Sequence, residues 1–99
     1  MEIEKTQSEG VTVLTLSGRL DTITSPKLQR ILTEEIKRSD KVELDFNGVA
    51  YVSSAGVRVL LSGEKSSKAS GKTMTLVNVS PEVMKILDIT GIAETLNIS

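Results

Sequence analysis

The segment VELDFNGVAYVSSAGVRVLL, residues 42–61, joins two different patterns of apolar residues. Apolar and acidic side chains alternate over residues 42–46, which is typical of a strand with one buried face. After Ser53 and Ser54, the apolar run over residues 55–61 indicates the beginning of a helix. The segment therefore predicts a turn from strand to helix with two serines at its centre.

The rest of the chain supplies further strands and helices. Two strands separated by a turn at Glu9 and Gly10 suit a hairpin. The predicted elements are strands at residues 3–7 and 11–18, a helix at 26–38, a strand at 41–46, a helix from 55 to about 69, a strand at 73–79 and a helix at 81–90. We expect an α/β fold with the order ββαβαβα, and the final ETLNI (94–98) as an optional edge strand. This order predicts a mixed sheet of four or five strands with three or four helices, in which the later strands run parallel.

Three local features carry further expectations. Strand 11–18 has apolar residues on both faces, so we expect it to be covered on both sides. Ser25 and Ser80 are each followed by proline, a pattern that predicts serine N-caps with proline at the first helical position. The polar stretch 62–72 indicates the solvated end of a helix, stopping near Gly71.

Composition excludes several classes of function. With 99 residues the chain suits one domain, residues 1–99. A net charge of −1 and two aromatic residues provide neither a basic face nor stacking platforms, so we expect no nucleic-acid binding. The apolar runs are far shorter than the roughly 20 residues needed to span a bilayer, and the N-terminal residues are charged. We expect no membrane insertion and a cytoplasmic location.

The chain contains neither cysteine nor histidine. It therefore lacks thiolate and imidazole ligands and the most common general base, and we expect no enzyme and no cofactor. A serine-hydrolase elbow around Ser54 would fit Gly56, but Val52 stands where glycine is needed and no histidine completes a triad.

Two other patterns are better explained structurally. The stretch SSKASGKT, residues 66–73, ends like a phosphate-binding loop, but Ser66 replaces the first glycine and the order helix, loop, strand is reversed. Four aspartates fall in separate segments without the spacing of a calcium loop, so we expect surface carboxylates and no metal site. These aspartates are Asp21, Asp40, Asp45 and Asp88.

The serines at the turn have two open interpretations. A serine before an apolar run is a common helix N-cap, worth about 1 kcal/mol, but capping requires only one serine. A phosphate on Ser54 would add about −1.5 to −2 charges near unpaired N–H groups, where a helix tolerates them. Arg58 lies four residues further along the same helical face. Such a phosphate would oppose a docked partner without unfolding the domain.

Two stretches resemble the STAS domains, and among them the bacterial anti-sigma-factor antagonists. LSGRLDTITSPKL (16–28) is similar to the family's Gly-x-Leu-Asp stretch before the first helix, and LDFNGVAYVSSAGVRVLL (44–61) to its phosphorylation segment. The order of elements matches along the whole chain. The resemblance implies a STAS-like mixed sheet.

The resemblance also implies a cycle of partner switching. The unmodified domain would bind an anti-sigma factor that is also a serine kinase, and so release a sigma factor. Phosphorylation would end that binding, and a metal-dependent phosphatase of the PP2C type would reverse it. The acceptor position falls on Ser54. Ser53 stands where family members often carry aspartate, so two hydroxyls compete in this chain and Ser53 is the reserve acceptor. The implied partner surface comprises Asp21, Thr22, Ser53, Gly56, Val57 and Arg58.

Two alternatives remain at this point. Some STAS domains are unphosphorylated accessory subunits of lipid transporters or stress-sensing assemblies. The third interpretation is a small hydrolase acting through the serines.

Overall fold

A computed structural model describes every residue from Met1 to Ser99. The elements are β1 (Glu2–Ser8), β2 (Val11–Leu20), α1 (Ser25–Arg38), β3 (Lys41–Val52), α2 (Ser54–Ala69), β4 (Thr73–Val77) and α3 (Pro81–Ile89). The predicted order ββαβαβα is confirmed. β2 and β3 extend further than predicted, so each strand continues to the residue before the candidate site. No helix combines the length and apolar content needed to cross a bilayer.

The four strands form one mixed sheet in the order β1-β2-β3-β4. β1 pairs antiparallel with β2, whereas β2 with β3 and β3 with β4 are parallel. The hairpin turn uses Glu9 (φ 48°) and Gly10 (φ 81°), both in the left-handed region that a two-residue turn requires. The predicted final strand is reduced to one bridge between Leu76 and Ile98.

Helices α1 and α2 cover the same face of the sheet. Thr12, Val42 and Met74 are neighbours across β2, β3 and β4 and are all buried. Glu35 of α1 reaches Thr12, while Gly63 of α2 lies against Met74. Apolar residues on this face complete the core, including Leu14, Leu16, Leu44, Phe46 and Leu76.

The opposite face of β2 is not covered, so the expectation of burial on both sides is wrong. Val11 and Val13 are half-buried and Thr15 is exposed. Because β2, β3 and β4 follow one another across the sheet, the two crossover helices fall on one side. Apolar residues on both faces of a strand therefore did not imply two layers of helix.

Two expectations about helix ends need correction. Ser25 is the first residue of α1 and not its cap, because the cap position is Thr24. The stretch 62–72 is only partly solvated, since Gly63 and Glu64 are buried. A Cβ on Gly63 would lie 2.6 Å from Leu32 Cδ2, so glycine lets α2 pack closely on α1.

The third helix begins as predicted. Ser80 Oγ accepts a hydrogen bond of 3.2 Å from the Val83 amide, and Pro81 opens α3. Gly91, with φ 79°, follows the end of the helix. The serine–proline pattern thus predicted this cap correctly and failed at α1.

A buried carboxylate connects α1 to the hairpin. Glu35 is 2% exposed; its Oε2 accepts from Lys5 Nζ at 3.1 Å, and its Oε1 from Gln7 Nε2 at 3.3 Å and Thr12 Oγ1 at 3.4 Å. The hydroxyls of Thr12 and Ser39 also share a hydrogen bond. A buried charge is tolerated only when such partners surround it.

We expect Glu35→Ala to destabilise the fold by about 1–3 kcal/mol, because the buried Thr12 hydroxyl and the side chains of Lys5 and Gln7 lose their shared acceptor. Glu34→Ala is the matched control, since its side chain is exposed on the same helix. Urea unfolding followed by circular dichroism measures both. Equal stability of the two variants would contradict the role of Glu35.

Candidate functional site

The carboxyl ends of β2 and β3 lie side by side. Leu20 and Val52 are paired residues, and the Ser53 amide donates a 2.8 Å hydrogen bond to the Leu20 carbonyl oxygen. The turn 21–24 and the start of α2 therefore lie at one edge of the sheet. In open α/β sheets this is where binding sites form.

Gly56 brings the first turn of α2 against these strand ends. A Cβ at this position would lie 2.7 Å from Leu20 Cγ, 2.9 Å from Val52 Cγ1 and 3.0 Å from the Leu20 carbonyl oxygen. Any side chain would therefore push the helix away from β2. The glycine keeps the serines close to the turn that carries Asp21.

Asp21 holds that turn together. Its Oδ1 accepts 3.0 Å hydrogen bonds from the amides of both Ile23 and Thr24, and its carbonyl accepts the Ser25 amide at 2.8 Å. The Thr24 hydroxyl accepts from the Asp21 amide at 2.9 Å and donates to the Arg19 carbonyl at 2.7 Å. The Asp21 side chain thus folds the turn that leads into α1, as aspartate does in an Asx turn, and its carbonyl accepts the first amide of the helix.

The same contacts keep Asp21 ionised. The Thr24 amide contributes most to a pKa below the ordinary value of 3.8, assisted by the Thr24 hydroxyl and the Ile23 amide, while partial burial opposes them. Arg19 adds a smaller effect, with Nε 3.7 Å from Asp21 Oδ2. The Arg19 guanidinium also stacks 4.2 Å above the Tyr51 ring.

The two serines have different environments. Ser53 is the N-cap of α2, and its Oγ accepts a long hydrogen bond of 3.4 Å from the Gly56 amide. Ser54 is the first helical residue; its side chain is exposed and makes no hydrogen bond. Capping and an accessible hydroxyl therefore belong to separate residues.

The remaining expected residues differ in accessibility. Thr22 and Arg58 are exposed, whereas Gly56 is buried and Val57, at 9% exposure, belongs to the core. Thr22 and Arg58 line a groove of about 370 Å³ between α1 and α2, which we call the α1–α2 groove. Its other lining residues are Ser25, Pro26, Gln29, Ala55, Val59 and Ser62.

Ile23 is a surface residue that the sequence reasoning missed. Its side chain is 87% exposed at the tip of the turn between β2 and α1. The hydrogen bonds of Asp21 fix the backbone there and leave this apolar side chain in solvent. The sequence did contain a signal for this exposed residue, because Ile23 lies between two threonines and belongs to no strand or helix pattern.

Comparison with known proteins identifies similarities in sequence and fold. A family model described as STAS domain matches residues 2–99. An "Anti-sigma F factor antagonist" of Paenibacillus polymyxa is 29% identical, over 99% of this chain and 86% of its own. The unphosphorylated form of the anti-sigma factor antagonist SpoIIAA matches with a TM-score of 0.83 at 19% identity, covering 99% and 88% of the two chains. Bacillus SpoIIAA in the phosphorylated form matches with a TM-score of 0.77 at 18% identity, covering 99% and 91%.

We expect Ser53→Ala to destabilise the fold by about 0.5–1 kcal/mol through loss of the cap. Ser54→Ala should change stability by less than about 0.5 kcal/mol, because the exposed hydroxyl has no partner. Urea unfolding of both variants against wild type measures the difference. A greater loss in Ser54→Ala would contradict the assignment of the two serines.

Asp21→Asn should make stability less dependent on pH in the acid range. Because folding lowers the pKa of Asp21, its ionised form contributes stability above pH 3.8, which is lost as pH falls through the folded pKa. The stability difference between wild type and variant should therefore shrink as pH falls below 3.8. Urea unfolding across that range measures it, with the exposed Asp88→Asn as control. Identical pH dependence in all three proteins would refute this.

Proposed function

Because this chain belongs to the STAS domain family, we propose that it is an anti-sigma-factor antagonist, a single non-enzymatic domain controlled by phosphorylation of Ser54. Unphosphorylated, it binds an anti-sigma factor that is also a serine kinase, so that a sigma factor is released. A PP2C-type phosphatase restores the unmodified form, and the cycle runs in the cytoplasm. The name of the P. polymyxa relative supports the general role.

The observation that carries this proposal is the free hydroxyl of Ser54. It is exposed at the start of α2, beside the rigid Asp21 turn, while Ser53 already supplies the cap. A kinase can therefore modify Ser54 without removing a hydrogen bond that the fold needs. Ser53, half-buried and bonded to the Gly56 amide, is the poorer acceptor.

The chemistry of the transfer is performed by the kinase. Ser54 Oγ attacks the γ-phosphorus of ATP, the new O–P bond replaces the bond to ADP, and the hydroxyl proton passes to a base of the kinase. This chain has no histidine or cysteine to act as such a base. In this proposal Ser54 is the substrate of the kinase and not a catalytic nucleophile.

The fold accommodates the product of this transfer. A phosphoserine at the first position of a helix lies near unpaired amides and the positive end of the helix dipole. Structures of SpoIIAA with and without phosphate share this chain's fold, which supports a modification that leaves the domain folded.

Release follows from charge and volume at the docked surface. The partner would cover Ser54 together with Asp21, Thr22 and Arg58, which lie at the same edge of the sheet. Phosphate adds about two negative charges beside the ionised Asp21, and burying them costs free energy unless the partner supplies cations. Phosphorylation therefore favours the separated proteins.

We expect Ser54→Asp to weaken kinase binding at least tenfold, and Ser54→Ala to bind normally but to remain bound when ATP is added. The kinase is first isolated by co-purification with the wild-type domain and identified by mass spectrometry. Isothermal titration with and without ATP then measures affinity and release.

Ser53→Ala is the matched control, since it removes a neighbouring hydroxyl and should keep release by ATP. Equal affinity and equal release for wild type and all three variants would exclude the phosphorylation switch. Such a result would favour the role of a permanent accessory subunit.

A further inference from the structure

We propose that the α1–α2 groove receives an aspartate or glutamate side chain of the partner at Arg58, and that phosphate on Ser54 takes over the same guanidinium. This inference rests on the proposed function and adds the chemistry of recognition. The partner would thus be held by a carboxylate that the phosphoserine replaces.

The charge of the groove selects an anion. Arg58 is the one charged residue among its eight lining residues. It forms no ion pair, unlike Arg19 and Arg38, which pair with Asp21 and Glu35. An exposed guanidinium with five donors and no acceptor on its own chain fits a carboxylate in bidentate geometry.

The wall of the groove contains a second unsatisfied donor. Ser25 is 3% exposed, and its Oγ is buried without a hydrogen-bond partner. Buried hydroxyls without partners are rare in folded proteins because each loses its hydrogen bonds to water. Ser25 lines the groove, and a rotation of its side chain toward the groove would let a carboxylate oxygen provide the missing acceptor. Ser25 and Arg58, from different helices, thus indicate the same class of ligand.

The fold adds a favourable potential from two helix N-termini. Ser25 and Pro26 open α1, and Ala55 lies in the first turn of α2; all three line the groove. The first turns of both helices therefore border the same space, and each carries partial positive charge. The Asp21 carboxylate offsets part of this charge at α1, whereas the first turn of α2 contains no acidic residue.

A phosphate on Ser54 can compete with the partner's carboxylate for Arg58 because of the spacing of the two residues on α2. Residues four apart lie one above the other on a helix, so a phosphate at Ser54 and the guanidinium of Arg58 form an i,i+4 pair. This pair forms within one chain and requires no association of molecules. The partner's carboxylate would then lose its contact with Arg58 and be repelled by the negative phosphate.

The proposed partner surface therefore carries one negative and one positive charge at separate points. Asp21 presents a fixed negative charge at the turn, and Arg58 presents a positive charge in the groove. A matching partner needs a basic group opposite the first and a carboxylate opposite the second, with Ile23 as the exposed apolar contact beside them. Opposite charges at two fixed points set the orientation of docking.

The competition is tested without the kinase, using protein with phosphoserine incorporated at Ser54. Phosphorus-31 NMR titration gives the acid dissociation constant of the phosphate. We expect Arg58→Gln to lower that constant by roughly twofold or more, because the dianion loses its paired cation. Lys65→Gln is the matched control, an equal loss of charge at an exposed position of the same helix. Equal constants in the two variants would overturn the competition.

Occupation of the groove is tested with acetate as the carboxylate probe. In unmodified protein, acetate at constant ionic strength should shift the side-chain N–H signals of Arg58 and Gln29 in a saturable manner, and chloride should not. The shifts should be abolished in the Ser54 phosphoprotein. Equal effects of chloride and acetate, or shifts that survive phosphorylation, would overturn the carboxylate site.

These measurements separate the inference from the proposed function. Negative results in the phosphorus-31 titration and in the acetate titration would refute the role of Arg58 in the groove. The proposed Ser54 switch would then depend on the kinase-binding experiment alone. Failure to bind any kinase, with positive NMR results, would refute the antagonist role and the partner's carboxylate while leaving an anion-binding groove.

Discussion

The structure depends on the close packing of Gly56 against Leu20 and Val52, joined by the hydrogen bond from the Ser53 amide to the Leu20 carbonyl. This contact fixes α2 directly on the carboxyl ends of two parallel strands. Because β2 leads into the Asp21 turn, the same contact sets the distance between that turn and the serines. The relative position of the Asp21 turn and the serines is therefore set mainly by packing in the core.

Periodicity and turn chemistry predicted most of the fold. The element order, the Glu9–Gly10 hairpin and the Ser80 cap depend on neighbouring residues, and local patterns describe such features well. The cap of α1 was mispredicted because Asp21 folds the preceding turn through its side chain and accepts the Ser25 amide through its carbonyl, which places Ser25 inside the helix. The one-sided burial of β2 follows from the order of the strands in the sheet. The pattern of apolar residues along a single strand carries no information about that order.

For the candidate site, the residue types predicted two segments that the structure brings together at one edge of the sheet, but the environment of each residue required coordinates. Two adjacent serines fit both a cap and an acceptor, and only the hydrogen bond to the Gly56 amide assigns the cap to Ser53. Likewise, Val57 and Arg58 are neighbours in sequence, yet one is buried in the core and the other is exposed. The unpartnered hydroxyl of Ser25 had no counterpart in any sequence pattern, because it results from the packing of two helices.

The single bridge between Leu76 and Ile98 has a consequence for self-association. A sheet grows by adding strands at its edges, and here the chain's own C-terminal residues occupy part of the β4 edge. The other edge, β1, carries Glu2, Glu4 and Lys5, and such charges oppose pairing with another copy. Both edges of the sheet thus oppose strand addition by another copy, which leaves association with other molecules to surfaces outside the sheet edges.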